Sequence, residues 1–300
     1  MGRMRTILIA IAVLFMLAPD LHEKLFAIAA TPPSSLYAQS AARKLELEFG
    51  ACFESAEPNS DECRQLSYVS FLLVDAYTGA VLASRWENPE VPIPLGSLVK
   101  PITALAYGES HQFRYPTHIC RGAKSGCWLP RGHGKIELTS AIEYSCNSYF
   151  RTLAAEMTSA DVAPLAESLG LRAPDPGASG MALAGIGGGW QNSPLRMAAA
   201  YLELMRRREQ PGVRQIVAGM EQSAEHGTGQ EVDRALGRAD ALVKTGTAAC
   251  THARKGAGDG FVIALMPAAD PQILLMVRVH GVPGAEAART AGTMLRRIEE

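Results

Sequence analysis

Val91–Leu105, V-P-I-P-L-G-S-L-V-K-P-I-T-A-L, is the stretch around which this 300-residue chain is ordered, with a strand pattern just before it and helical patterns following. Pro92, Pro94 and Gly96 keep the approach extended and non-helical. From Ser97 onward, Leu98, Val99, Ile102, Ala104 and Leu105 suit a buried helix. With Ser97 at or next to the N-cap, Pro101 falls at the edge of the first turn, where its missing N–H costs little. Lys100, as the residue before a proline, counts mildly against that start. On such a helix Ser97 and Lys100 are i and i+3, about 5–6 Å apart between Cβ atoms. A hydroxyl is a poor nucleophile until its proton is taken, and a lysine desolvated by burial can take it. The same pair also describes an exposed serine beside a surface lysine, so the rest of the chain must decide.

Upstream, Tyr68–Asp75 and Ala80–Trp86 flank Ala76-Tyr77-Thr78-Gly79, a strand–turn–strand pattern with glycine at the turn. Further back, Arg3 and Arg5 precede an apolar run, Ile7–Leu17, that Pro19 and Asp20 interrupt. The run is short of the roughly 20 residues a bilayer needs and has the size of a secretory h-region. Ala27-Ile28-Ala29 offers small residues for cleavage, and Ala38 a later site. Residues 1–30 are therefore expected to be a signal peptide, with an uncleaved membrane anchor as the alternative. The protein is expected to be exported, to the periplasm or another extracytoplasmic space. Residues 31–66 read as a polar linker (Thr31–Ala42) and a short charged helix around Ala42–Phe49. The main domain is expected over 67–300.

Downstream, helical patterns cover Leu98–Glu109, Leu138–Met157, Ala160–Leu169 and Pro194–Arg208, with a shorter one near Val217–His226. Asn192 or Ser193 caps the fourth, with Pro194 at its first position. A cysteine loop (Cys120–Gly134) and a glycine run (Gly185–Gly189) interrupt them. No G-K-[ST] follows the glycines, so a tight turn is expected rather than a phosphate loop. Strand patterns return at Ala241–Ala249, Phe261–Pro267 and Ile273–His280, and Glu286–Glu299 reads as a closing amphipathic helix. The economical arrangement is α+β. The N-terminal hairpin and the C-terminal strands form one antiparallel five-stranded sheet, covered by helices, with a helical lobe inserted between them.

Twenty-nine basic residues face 30 acidic ones, a net charge of −1, which points to neither nucleic acid nor an anionic membrane as partner. Arg206-Arg207-Arg208 closes an apolar helical stretch and complements its C-terminus. Export makes the six cysteines candidates for disulfides. Short loops favour Cys52–Cys63 and Cys120–Cys127, leaving Cys146 and Cys250. His118, Cys120, Cys127 and His133 suggest zinc as the alternative, but the spacing holds no C-x-x-C, so a bridge is expected and no metal or cofactor.

Two further motifs carry chemistry. Ser145-Cys146-Asn147 lies within a predicted helix; Ser145 can relay a proton, and Asn147 can both donate to and accept from an amide. Lys244-Thr245-Gly246-Thr247 sits in an apolar strand whose alternation puts both threonine hydroxyls on one face, suited to a carboxylate. Gly246 lets a substrate backbone lie close, and Lys244 adds positive charge. Taken singly, the first also fits a solvated helix face, and the second an edge strand protected by lysine.

S-x-x-K, S-x-N and K-T-G in this order resemble the serine penicillin-recognising enzymes. T-G-A-V-L-A at Thr78–Ala83 resembles the strand turn ahead of the nucleophile in peptidoglycan transpeptidases. Gly132–Phe150, after the cysteine loop ending Cys127-Trp128, resembles their approach to the second motif. Gly185–Tyr201 resembles their G-x-G…P-L-x-x-A-x-A-Y segment, and Gly227-Thr228-Gly229 their G-T-G. The resemblance runs from about Tyr68 to the C-terminus. It implies the penicillin-binding, β-lactamase-like transpeptidase fold.

It further implies Ser97 as the acylated nucleophile, Lys100 as its base, Ser145 as proton shuttle and Asn147 as ligand of the substrate amide. Lys244, Thr245 and Thr247, with Gly246 between them, would hold the terminal carboxylate of a D-Ala-D-Ala stem or of a β-lactam. The N–H groups of Ser97 and Thr247 would form the oxyanion hole. The implied partners are peptidoglycan peptide stems, β-lactams as covalent inhibitors, and a cell-wall protein supplying the N-terminal module that larger members carry. The chain is expected to be the bare catalytic domain. Its size is closer to a class D β-lactamase, but no Y-G-N lies between Asn147 and Lys244. A D,D-carboxypeptidase, a class D-like β-lactamase and a non-catalytic sensor of β-lactams or wall peptides remain the alternatives. A Ser-His-Asp hydrolase lacks its G-x-S-x-G, and a Cys250 nucleophile beside His252 fits an exported protein poorly.

Overall fold

The computed structural model describes residues 34–54, 68–251 and 258–300. Strands β1 (Val69–Asp75) and β2 (Val81–Arg85) form the hairpin read from the sequence. Asp75 closes its turn, its Oδ1 accepting from the N–H groups of Tyr77 (3.0 Å) and Thr78 (2.7 Å), while Gly79 takes φ +74°. At the other end of the chain, β7 (Leu242–Ala248), β8 (Asp259–Met266) and β9 (Ile273–His280) form a meander. β1 joins it by pairing antiparallel with β9, from Val69↔Val279 to Asp75↔Ile273. The five-stranded order is β2-β1-β9-β8-β7, so the strand carrying Lys244–Thr247 stands at an edge.

All eight residues of β8 are buried, as its unbroken apolar run requires of a strand covered on both faces. On one face Phe71, Leu73, Val262, Leu275 and Val277 pack under α1 (Leu36–Glu54) and the closing helix, which spans Gly284–Glu299. On the other, Leu72, Phe261, Ile263, Leu274 and Met276 meet the helical lobe. The lobe's centre is α2 (Lys100–Ser110), buried from Lys100 to Gly108. Across it lies the helix Pro194–Arg206, capped by Ser193 with Pro194 in its first turn. Tyr201 of that helix is buried and its hydroxyl donates to the Leu98 carbonyl at 2.8 Å.

Three features differ from the sequence reading. The stretch read as a linker is helical from Leu36, and Ala38, Ala41 and Leu45 are buried beside the closing helix. Lys44 Nζ donates to the Ile298 carbonyl at 2.8 Å, and residues 35–300 make one compact unit. Secondly, the helix expected over Leu138–Met157 is broken into α3 (Leu138–Glu143) and α4 (Asn147–Ala155). Thirdly, two small pairings went unread, β3 (Ile93–Pro94) with β6 (Gln191–Asn192) and β4 (His118–Cys120) with β5 (Gly134–Ile136). The expected export segment over 1–30 and the Cys52–Cys63 bridge lie outside the described residues. Among the described residues no helix is long and apolar enough to cross a membrane.

Candidate active site

Three segments converge beside the free edge of β7. The first is a 3₁₀ turn, Gly96–Val99, that leads into α2. Gly96 has φ +56°, and a Cβ on it would overlap the Thr247 carbonyl. A Cβ on Gly246 would come within 2.6 Å of the Leu95 carbonyl oxygen. These two glycines let the turn lie directly against the strand. Ser97 therefore stands one 3₁₀ turn before Lys100 rather than on an α-helix, and side chains three apart in a 3₁₀ turn eclipse. The pair still shares a face.

The second segment is the break between α3 and α4. Ser145 holds φ +48°, a conformation that costs a non-glycine residue about 1–3 kcal/mol. Two amines hold it there. Lys100 Nζ donates to the Ser145 carbonyl (2.7 Å) and to Asn147 Oδ1 (2.7 Å), and Lys244 Nζ donates to Ser145 Oγ (2.9 Å).

The third segment is β7 itself. Thr245 Oγ1 donates to Thr228 Oγ1 at 2.7 Å, and Thr247 Oγ1 accepts from the Gly284 N–H at 2.9 Å. The Thr247 hydroxyl thus keeps its proton to donate to a ligand.

Together the segments wall a cleft of about 560 Å³ into which Ser97, Ser145, Asn147, Thr245, Gly246 and Thr247 face. Among the described residues, none that lines it is acidic. Ser97 is half-buried, and its hydroxyl has no hydrogen-bond partner among the described residues. Lys100 and Lys244 lie beneath the floor, both fully buried. Burial pushes the Lys100 ammonium down to about 7, against the opposing pull of Cys146 and Cys127. Burial, and then the like charge of Lys100, push Lys244 well below the ordinary lysine range. The Lys244 amine supports Ser145 and, at 2.8 Å, the Thr245 carbonyl.

All eight residues singled out in the sequence are brought to one place. Thr228, in the G-T-G stretch, joins the site through its hydroxyl, which meets Thr245 of the K-T-G strand. Gly185 follows the same logic, since a Cβ on it would come within 2.6 Å of the Gly96 carbonyl.

The expected Cys120–Cys127 bridge is not formed, and both thiols are free. β4 pairs Cys120 with Gly134 and so brings His133 alongside, while the helix break turns Cys146 toward Cys127. Four ligand atoms, from Cys120, Cys127, His133 and Cys146, lie within 4.8 Å of one another. His118, the other ligand considered from sequence, lies 2.6 Å from Ser148 Oγ instead. A second group, Cys250, Asp259 and His280, stands where β7 ends, β8 begins and β9 ends. There His280 Nδ1 lies 2.7 Å from Asp259 and 3.4 Å from Cys250, so one nitrogen faces both.

Residues 69–300 match the family model described as "Penicillin binding protein transpeptidase domain". Among curated proteins, none matches the sequence. The fold is similar to Pseudomonas aeruginosa PBP2 in complex with WCK 5153, with TM-score 0.66 and 17% identity over 89% of this chain and 74% of that one. It is also similar to Helicobacter pylori PBP2 in its complex with MreC, with TM-score 0.65 and 16% identity over 79% of this chain and 61% of that one. The transpeptidase domain of Burkholderia pseudomallei penicillin-binding protein 3 gives TM-score 0.62 and 17% identity over 89% and 93%.

Proposed function

The chain belongs to the penicillin-binding protein transpeptidase domain family, a serine acyltransferase or peptidase kind, and on that premise we propose that it is an exported D,D-transpeptidase working through an acyl-enzyme at Ser97. The observation that carries this reading is the buried Lys100 amine, held by Ser145 and Asn147 below a cleft that the unpartnered Ser97 hydroxyl lines. An amine near neutrality at pH 7 is a competent general base.

In the proposed reaction, Ser97 Oγ attacks the carbonyl carbon of the penultimate D-Ala while Lys100 takes its proton. The oxyanion is met by the N–H groups of Ser97 and Thr247, each such donor being worth about 10²–10³ in rate. The C–N bond then breaks, and Ser145 passes a proton to the departing D-Ala amine. Lys244, bonded to Ser145 Oγ, orients that hydroxyl beside the carboxylate site of Thr245 and Thr247. Asn147 shares its amide between Lys100 and the substrate. The acyl ester is finally taken by an amine of a neighbouring stem, which restores the Ser97 hydroxyl. A cleft lined without a carboxylate favours this acceptor over water, the acceptor of a carboxypeptidase or β-lactamase.

Peptide stems of this chemistry lie outside the cytoplasm, which fits the N-terminal secretory pattern. β-Lactams, which present a strained amide and a carboxylate to the same groups, are the expected covalent inhibitors. The similarity to a PBP2 in complex with MreC supports a cell-wall protein as partner. Incubating the protein with a D-Ala-D-Ala stem peptide, with and without an amine acceptor, tests the reading. D-Ala release with a crosslinked product is expected, and Ser97→Ala should give neither. Release that persists in that variant would refute the assignment.

A further inference from the structure

We propose that Cys120, Cys127, His133 and Cys146 form a closed tetrahedral site for one Zn²⁺ ion, built into the turn that carries Ser145 and Asn147. The distances carry the argument. Cys127 and Cys146 Sγ are 3.8 Å apart, and His133 Nδ1 is 3.5 Å from Cys120 Sγ and 3.5 Å from Cys127 Sγ. A tetrahedron with Zn–S bonds of ~2.3 Å and a Zn–N bond of ~2.0 Å has S–S edges of ~3.8 Å and S–N edges of ~3.5 Å. A disulfide would bring two of these sulfurs to ~2.0 Å.

The supply of ligands by the fold is equally specific. β4 and β5 place Cys120 and His133 side by side. Gly126, at φ +71°, turns the chain back so that the Cys127 N–H bonds the Gly122 carbonyl at 3.0 Å. Positive φ at Ser145 delivers Cys146 as the N-cap of α4. The His133 ring is held by stacking on Tyr144, 5.2 Å between centroids, with Trp128 against its edge at 5.5 Å. All three thiols are buried. Ordinary hydrogen bonding does not account for the group, since a single Nδ1 faces two sulfurs at once.

Three thiolates and an imidazole select zinc over harder divalent ions. Four protein ligands leave no position for a reacting water, so the ion is structural. Binding releases three thiol protons and needs no oxidant. Cys146 lies between Ser145 and Asn147, so a bound ion fixes the turn that grips Lys100.

Metal analysis of the purified chain should find one zinc per molecule. Replacing it with Co²⁺ should give thiolate-to-cobalt charge-transfer absorption and the visible bands of tetrahedral cobalt. Cys120→Ser or His133→Ala should lose or alter that spectrum, whereas Cys250→Ser, in the other cluster, should leave it intact. Chelation should lower the melting temperature and slow penicillin acylation at saturation at least tenfold. Prior noncovalent binding should change little, because Thr245 and Thr247 stand on a separate strand, and zinc but not magnesium should restore the rate. Since the cobalt titration uses the unaltered chain, a misfolded variant does not blunt it. Absence of metal with no cobalt spectrum, a spectrum lost only in Cys250→Ser, or a disulfide among Cys120, Cys127 and Cys146 would overturn the proposal.

Discussion

At the scale of single residues, two buried lysines converge on one serine, and their different attachments separate their roles. Lys100 bonds the Ser145 carbonyl and Asn147 Oδ1 at 2.7 Å and reaches the Ser145 hydroxyl only at 3.4 Å, whereas Lys244 bonds that hydroxyl at 2.9 Å. Lys100→Ala should slow acylation by penicillin about 10²–10⁴-fold, the usual worth of a general base, with noncovalent binding little changed. Lys244→Ala should slow acylation less and weaken binding as well, because it removes the donor that holds Ser145 Oγ and the Thr245 carbonyl on the substrate side of β7. Identical kinetic profiles for the two variants would contradict this division.

The pH dependence follows from the same burial. Lys100 titrates at about 7, so the basic amine accumulates as pH rises through 7. Acylation should climb across that point and fall about tenfold per unit below it, as measured by stopped-flow labelling. A rate flat from pH 5 to about 8 would remove Lys100 as the base. Stability should run the same way. Between about 7 and the ordinary lysine range the unfolded chain holds a proton that the folded chain does not, so stability increases with pH there.

That these eight residues meet at one place was legible from the order of the three motifs and their family resemblance, since each motif taken singly also fits an exposed helix face or an edge strand. The seat of Lys244 beneath Ser145 was not legible. It depends on two segments 99 residues apart meeting.

Among the elements, the approach of the Gly96–Val99 turn to β7 sets the cleft, and it is set by glycines. Gly96→Ala would place a Cβ on the Thr247 carbonyl and force φ +56° on a residue that resists it. We expect more than about 1 kcal/mol of destabilisation by urea unfolding, together with a lower acylation rate. Unchanged acylation in this variant would show that the turn and strand do not depend on close contact.

The five strands were readable from their apolar period and from Gly79. The break in the predicted Leu138–Met157 helix was not, since positive φ at Ser145 is held by amines from α2 and β7, outside the local sequence. The helix from Leu36 was missed because its buried face is mostly alanine, namely Ala38, Ala41 and Ala42. The two small pairings, of two and three residues, are too short to show a period.

For the whole molecule, a sheet packed on both faces carries the candidate cleft at the edge where helical lobe and β7 meet. A water-activating carboxylate is missing from the described lining, so acylation should outpace release. A long-lived acyl-enzyme on Ser97 is open to intact-mass spectrometry after incubation with a labelled penicillin. One adduct per chain is expected, mapped to Ser97, lasting minutes to hours and absent from a folded Ser97→Ala variant. An adduct that survives in that variant, or rapid multiple-turnover hydrolysis of the penicillin, would contradict it.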